Sequence, residues 1–404
     1  MSELRLEKRP ELIDRNMGRE IERFLEFTGR KFWEDQIEKL RQQLSSKKFH
    51  FYKEWLQKRN PFLLPLQEYF RLTKEGKSIW KNASPRLKYF AKQTCVLNIL
   101  VRNLNSMARN KILGELRDPS GIRSFLFELQ IATHFLVRGF DVYFIDLESS
   151  SEQGSYDFLV KNQYSEIEIE CKRKSYDAGR KVTREGFYLL ADAICSQTLG
   201  RGQNFAVNIV CQDNLGKNHH EFQKFAELIR CALASKQDSV NLGPKVSAEI
   251  SYLPSGMKTS SNEEAARMLP PNWIPDAHYA VISVKKGTII IRTESQKRDR
   301  ILKAIFEELE KGSEQLSKTR PSILACFIEE IGEDEWELLK DEGGLANIAG
   351  EFFIKDRNKH VNFVTYSSDV DMKDAYLRDF TKNLIFTNLK HNFEIKMKPF
   401  GGSS

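Results

Sequence analysis

The sequence has few cysteines and no long apolar run, and each shortage excludes a class of protein. The six cysteines of the 404-residue chain stand singly in apolar segments, without a C-x-x-C pair. This argues against a disulfide framework and a cysteine zinc site, and it predicts buried cysteines in a reducing compartment. No apolar stretch approaches the roughly 18 residues of a membrane span, and the first residues lack a signal-peptide pattern. We therefore expect a cytoplasmic protein without a membrane partner.

Three further patterns are absent: an internal repeat, a Gly-x4-Gly-Lys-Ser/Thr phosphate loop and a zinc finger. Solenoids, P-loop motors and zinc-finger readers are thereby excluded. With 40% apolar and 29% charged residues, the chain can bury real cores. Its length predicts two or three domains.

Positive charge is unevenly distributed along the chain. The net charge is only +7, but residues 53–117 carry 14 Lys and Arg against 4 Asp and Glu, whereas residues 305–351 carry 4 against 13. A second basic run covers 172–184. Basic patches fit a polyphosphate partner whose affinity falls as salt rises. Solvated helix faces remain an alternative for part of the 53–117 charge.

The most informative stretch is a pair of predicted strands, 155–160 and 166–172, in which apolar and polar residues alternate. A tight turn centred on Gln163 and Tyr164 would set Asp157 opposite Glu170. Lys172 shares their face because side chains alternate along a strand. The reverse face, which includes Phe158 and Val160, is predicted to be core.

Two carboxylates this close repel each other unless a cation lies between them. Hard oxygen ligands suit Mg²⁺, with Mn²⁺ as a second possibility, and Lys172 could orient an attacking water or stabilise charge on a phosphate. The combination fits metal-assisted phosphodiester hydrolysis. A solvated salt-bridge ladder on an open sheet is the alternative for Asp157, Glu170 and Lys172.

The segments around this hairpin form a definite order. An almost wholly apolar helix over 121–136 contains the charged Glu128, and a strand over 141–145 follows it. After Lys172 come a basic loop, a helix over 184–199 and a strand over 205–210. The predicted order is helix, three strands, helix, strand.

This order, with Glu128, Asp157 and the Glu170-Cys171-Lys172 triplet, resembles the PD-(D/E)XK nuclease superfamily over about 90 residues. The resemblance implies a restriction-endonuclease-like fold in which Asp157 and Glu170 bind metal and Lys172 assists catalysis. It also implies Glu128 as a further metal ligand. Tyr156 stands where the superfamily has proline, a departure that removes no ligand.

The basic residues after the catalytic strand are predicted to contact nucleic-acid phosphates, because their loop leaves from the active end of that strand. An ordinary strand-to-helix connection is the alternative. The predicted contacts are Arg173, Lys174, Arg180, Lys181 and Arg184.

The fold class predicted is α/β: a restriction-endonuclease-like αβββαβ core with helical and α/β flanks. The helical N-terminal region would cover 1–118, the nuclease core 119–240 and a C-terminal α/β region 241–404. The last region could form a second domain or extend the nuclease sheet.

The function expected is that of a Mg²⁺-dependent endonuclease acting on DNA. An RNase or structure-specific nuclease of the same fold is a second hypothesis, and a catalytically silent nucleic-acid-binding module is a third. Double-strand cutting would favour a homodimer, and an activating protein is a further possible partner.

Overall fold

A computed structural model describes residues 16–45, 50–118, 121–145, 156–199, 204–254, 278–284, 287–341, 343–368, 384–393 and 395. These residues form two mixed β-sheets with helices, which confirms the α/β class. The chain divides into two compact units. The first comprises 1–38, 59–176 and 302–404, and the second comprises 39–58 and 177–301.

The helices are taken in chain order. They are α1 (Met17–Thr28), α2 (Arg30–Ser45), α3 (Tyr52–Arg59), α4 (Leu63–Lys74), α5 (Ile79–Asn82), α6 (Pro85–Asn103), α7 (Ser106–Arg117), α8 (Gly121–Val137), α9 (Arg184–Thr198), α10 (His219–Ala234), α11 (Ile301–Gln315), α12 (Glu333–Asp341) and α13 (Gly344–Ile354).

The strands follow the same convention. They are β1 (Asp141–Phe144), β2 (Phe158–Lys161), β3 (Glu166–Ser175), β4 (Phe205–Cys211), β5 (Ser239–Gly243), β6 (Val246–Tyr252), β7 (His278–Val284), β8 (Gly287–Ser295), β9 (Ser322–Glu329), β10 (Val361–Ser368) and β11 (Leu384–Thr387).

The N-terminal helices of the first unit pack around aromatic rings. Phe24 lies at the centre, with ring centroids 5.6 Å from Trp33, 5.4 Å from Phe62 and 5.4 Å from Phe90. All four side chains are buried. Such tilted and edge-on contacts add to the free energy gained by burying the rings. These aromatic residues are therefore core.

The first sheet has the strand order β1-β2-β3-β9-β10-β11 and lies within the first unit. β1, β2 and β3 pair antiparallel, β9 and β10 continue parallel to β3, and β11 is antiparallel. All eight residues of β9 are buried. A strand covered on both faces is expected to be apolar nearly throughout, as this one is.

The β2–β3 hairpin has the predicted register. Phe158 pairs with Ile169 and Val160 with Ile167, and all four side chains are fully buried. The turn is fixed by Asn162, whose Oδ1 accepts hydrogen bonds from the backbone N–H groups of the second and third residues after it, at 2.8 and 2.9 Å. This Asx turn sets the register, and the register decides which side chains share a face.

Helices cover both faces of the first sheet. Phe127 of α8 stacks on Phe327 of β9, with ring centroids 5.1 Å apart. On the other face, Gly312 of α11 lies against Leu324 of β9 and Lys172 of β3. The hairpin is thus held between two helices, which limits water access to its polar residues.

The second sheet, in the second unit, has the order β5-β6-β4-β8-β7. The predicted helix and strand at 184–199 and 205–210 form α9 and β4, but β4 pairs with β6 and β8 and not with the first sheet. Their prediction as the last two elements of the hairpin's sheet is therefore wrong. The sequence order favoured β4 as the next strand of the hairpin's sheet because β4 is the next strand along the chain. Its actual neighbours, β6 and β8, come after it in the sequence.

The element that continues the first sheet after β3 is β9. Between β3 and β9 the chain contributes residues 177–301 to the second unit. It then forms α11, which immediately precedes β9. Residues 241–404 likewise contribute to both sheets, since β5 to β8 belong to the second and β9 to β11 to the first. β9, β10 and β11 thus extend the sheet that contains the hairpin.

No helix in the described part of the chain is both long enough and apolar enough to cross a membrane.

Asp192 of α9 anchors the start of α3 within the second unit. Its carboxylate accepts backbone hydrogen bonds from His50 and Phe51 at 2.7 and 3.0 Å and from Tyr52 at 3.1 Å. These N–H groups lie at a helix start, where a carboxylate is favourable.

Replacing Asp192 by Ala should lower the free energy of unfolding by about 2 kcal/mol, because three backbone N–H groups at the start of α3 lose their acceptor. Hydrogen exchange over residues 50–59 measures the loss locally. Asp192→Asn should lose less, and Glu227→Ala, an exposed carboxylate on α10, should change nothing. Unaltered exchange in Asp192→Ala would refute this anchoring role.

Candidate active site

Asp157 and Glu170 occupy facing positions of the β2–β3 hairpin. Asp157 immediately precedes β2, and continuing the β2–β3 register by one residue places it opposite Glu170. Asp157 Oδ2 accepts a hydrogen bond of 2.6 Å from the backbone N–H of Cys171. This contact fixes one carboxylate against the strand that carries the other.

Glu170 is a buried carboxylate, with only 1% of the residue exposed. Its Oε1 accepts a hydrogen bond of 2.5 Å from Lys172 Nζ. Its Oε2 is buried without a hydrogen-bond partner among the described atoms. Burial, and next the negative charge of Asp157, raise the pKa of Glu170 to about 8. A cation at Oε2 would satisfy this oxygen and relieve both effects.

The side chain of Lys172 extends from β3 toward α11. Its aliphatic stem passes Gly312, where an added Cβ would meet Cγ and Cε of the lysine at 3.2 and 3.3 Å. Its Nζ contacts Glu170 and also Gln315 Oε1. Burial is the largest single effect and lowers the pKa of Lys172, but the charge and hydrogen bond of Glu170, with the charges of Asp157 and Glu308, together raise this pKa. The ammonium is therefore held charged and in one place.

Gln315 is a site residue that the sequence analysis missed. It ends α11, about 140 residues after Lys172, and no sequence motif marks it. The usable signal was that this helix leads directly into the wholly buried β9. Only the pairing of β9 with β3 brings Gln315 to Lys172.

Glu168 shares the face of Glu170 but has a different role. Its Oε2 accepts a hydrogen bond of 2.8 Å from Ser317 N, and its Oε1 accepts one of 2.5 Å from Ser317 Oγ. Arg320 Nη1 lies 3.3 Å from the same Oε1. Both oxygens of this buried carboxylate are thus satisfied by the segment that follows α11.

Glu128 is half-buried on α8, on the Cys171 side of the hairpin. The pKa of the Cys171 thiol is raised by burial first, and next by the charges of Asp157 and Glu128. Within the described ranges, no three or more His, Cys, Asp and Glu side chains are arranged to hold a metal ion. The structure therefore does not assemble Glu128 with Asp157 and Glu170 as a three-carboxylate centre.

Arg173 and Lys174, two of the predicted phosphate contacts, belong to the first unit and are already paired. Arg173 Nη1 lies 3.3 Å from Glu329 Oε2, an atom that Arg123 also approaches to 3.0 Å. Lys174 Nζ donates to Glu308 Oε1 at 2.8 Å. A phosphate would have to compete with these carboxylates for either residue.

The other three predicted contacts belong to the second unit. Arg180 is only 7% exposed, and its guanidinium lies 2.9 Å from the His278 ring and 3.8 Å from Asp299. A phosphate would have to compete with these two partners for the Arg180 guanidinium. Lys181 and Arg184 are half-buried.

The donor set fits a hard divalent cation. Mg²⁺ is commonly bound by one or two carboxylates and several waters, and Asp157 and Glu170 supply two. The orphaned Glu170 Oε2 is the observation that calls for a cation, since an unsatisfied buried carboxylate oxygen is unfavourable. A cation at this site would therefore have two protein ligands, Asp157 and Glu170.

No family model matches the chain, and neither curated proteins nor solved structures yielded a match.

A bound cation should stabilise the protein through these two carboxylates. At about ten times its Kd, Mn²⁺ or Mg²⁺ should add about 1.4 kcal/mol to the free energy of unfolding. This corresponds to an increase in Tm of about 2–4 °C, which differential scanning fluorimetry measures.

Asp157→Asn and Glu170→Gln should abolish that increase. Glu168→Gln is the matched control, because it removes a buried charge from the same face without removing a ligand. An equal metal-dependent increase in all four proteins would place the cation elsewhere.

Proposed function

We propose that this protein is a metal-dependent endonuclease that hydrolyses DNA phosphodiester bonds, with a restriction-endonuclease-like core. The observation that carries the proposal is the buried Glu170, with an unpartnered Oε2, between Asp157 and Lys172. A buried carboxylate left unsatisfied is unfavourable for stability, and such strain is concentrated at functional sites.

The order of elements in the first unit supports the fold proposed. α8 is followed by the antiparallel strands β1, β2 and β3, and then by α11 and the parallel strand β9. This is the helix, three strands, helix, strand order of the superfamily that the hairpin resembles. The second unit lies within it along the chain, between the third strand and the second helix.

In this proposal Asp157 and Glu170 hold Mg²⁺, or Mn²⁺ in its place. The bound cation supplies a Lewis acid that neutralises phosphate charge and lowers the pKa of a coordinated water. Lys172 is the chain's own contribution to the chemistry. Its ammonium, kept charged by Glu170, can orient the water or stabilise negative charge developing on the phosphate.

The reaction needs no covalent protein intermediate. Oxygen from water forms a bond to phosphorus while one ester P–O bond breaks, and the leaving oxygen takes up a proton. The contact of Lys172 with Gln315, and the packing of its stem beside Gly312, hold the ammonium in position before substrate arrives. Such preorganisation is where much of enzymatic charge stabilisation originates.

An RNase or a structure-specific nuclease would use the same residues, so the substrate is a question for experiment. A catalytically silent nucleic-acid-binding module has no need of Asp157, Glu170 and Lys172 together. Double-strand cleavage would favour a homodimer, and an activating protein partner is compatible with a site that is inactive alone.

The direct test is cleavage of circular duplex DNA, single-stranded DNA and structured RNA with Mg²⁺, Mn²⁺ or EDTA. Asp157→Asn and Lys172→Ala should each slow cleavage about a hundredfold to a thousandfold, the usual loss when one charge-stabilising group is removed. Glu168→Gln should retain cleavage if it folds.

Metal-dependent cutting of duplex DNA that both variants lose would support the proposal. Cutting of RNA alone would favour the second candidate. Cutting that survives both substitutions would show that the active site lies elsewhere.

Gly312 offers a finer test of how Lys172 is positioned. A methyl group there would lie 3.0 Å from Leu324 Cδ2 and 3.2 Å from Lys172 Cγ, closer than such contacts normally are. Displacing the ammonium by a few tenths of an ångström should lower the cleavage rate about tenfold, with the metal-dependent increase in Tm retained.

Gly350→Ala on α13 is the matched control, because a Cβ there meets nothing within 4 Å. It should leave the rate unchanged and stabilise the helix by about 0.5–1 kcal/mol. A rate unchanged in Gly312→Ala would contradict the positioning argument.

A further inference from the structure

The two units differ sharply in charge. Residues 39–58 and 177–301 together carry 23 Lys and Arg against 14 Asp and Glu, a net of +9. The whole chain has +7, so the residues of the first unit carry a net of −2. The positive charge of this protein is therefore concentrated in the unit that does not contain the carboxylate pair.

Much of that charge gathers at one end of the second sheet. The segments 177–184, 211–217, 243–246 and 295–300 contain eight Lys and Arg against three Asp. Backbone hydrogen bonds join them: Leu215 N donates to Lys181 O at 2.9 Å, and Gln212 N donates to Lys245 O at 2.9 Å. β4 and β8 are parallel and both end here, so their following loops lie side by side.

Three lysines surround Asp213 at this end. Lys297 Nζ lies 2.9 Å from Asp213 Oδ2, and Lys181 Nζ lies 3.7 Å from Oδ1. The pKa of Asp213 is lowered, chiefly by the hydrogen bond from Lys297, and the charges of Lys181 and Lys245 add to the effect. One carboxylate cannot neutralise three ammonium groups, so an excess positive charge remains.

The other two acidic residues of these segments are turned toward the backbone. Asp299 Oδ1 accepts a hydrogen bond of 2.7 Å from Lys181 N, and Asp177 Oδ2 accepts one of 2.7 Å from Arg184 N. They therefore stabilise the loops that carry the basic residues. Lys245 and Lys297 are exposed, as are Arg298 and Arg300 on the same loop.

We propose that this surface, formed by Lys181, Lys245 and Lys297 around Asp213, binds the phosphate backbone of duplex DNA. Its lysines come from three distant segments of the chain and converge on one carboxylate, which leaves a local excess of positive charge for a phosphate group. The surface reads charge and not sequence, because phosphate contacts position a duplex without distinguishing its bases. The assignment of DNA as partner rests on the proposed function.

The test is binding of a short fluorescent duplex DNA to the full-length chain in EDTA over a series of salt concentrations. Lys245→Gln/Lys297→Gln should weaken binding roughly tenfold at physiological salt, and it should reduce the slope of log K against log[salt] by about 2. Asp213→Asn should tighten binding roughly threefold, because it removes a competing anion.

Lys236→Gln is the matched control. Lys236 is exposed at the opposite end of the second sheet, where the backbone of its neighbour Asp238 pairs with Ile250 of β6. It should bind DNA as the wild type does. Equal affinity and equal salt slope in the wild type and the double variant would overturn the proposal, and so would tighter binding of polyglutamate than of DNA.

Binding in EDTA separates this inference from the nuclease assignment. If the protein binds DNA through these lysines but does not cleave it, the proposed binding surface is supported and the proposed nuclease activity is refuted. If the protein cleaves DNA and the wild type and the double variant bind DNA with equal affinity, the nuclease activity is supported and the proposed binding surface is refuted.

Discussion

The burial of the Glu170 carboxyl group is the constraint on which the candidate site depends. A carboxylate with 1% exposure must be compensated, and the compensation comes from elements far apart in sequence. Lys172 satisfies Oε1, and α11 holds Lys172 through Gly312 and Gln315. The remaining oxygen, Oε2, has no protein partner among the described residues. The contacts of Lys172 with Glu170 and Gln315 thus join β3 to α11.

The second unit follows β3 directly along the chain and ends where α11 begins. Because residues 177–301 of the basic second unit lie between β3 and α11, the β2–β3 hairpin and the helix that covers it belong to separate segments of the chain. The carboxylate pair belongs to the first unit, and the net positive charge of the chain belongs to the second.

The two buried carboxylates of β3 illustrate how neighbouring groups on one face acquire different roles. Glu168 has both oxygens occupied by the segment after α11, so it serves the fold. Glu170, two residues on, has one oxygen occupied and one orphaned. The residue type and the strand are the same, and the difference is the set of donors that the tertiary structure brings to each.

The sequence alone determined the hairpin, its register and its two faces, because period-two alternation and a short polar turn are local properties. Asp157, Glu170 and Lys172 could therefore be placed together without a structure. Which strand continues the sheet could not, since β9 lies more than 140 residues beyond β3 and local patterns carry no information about pairing at that distance. The tertiary structure decided that Gln315 joins the site, that Arg180 is buried and that Lys245 and Lys297 meet Lys181 around Asp213. These are consequences of long-range packing, in which burial and partner are set by elements that the sequence keeps apart.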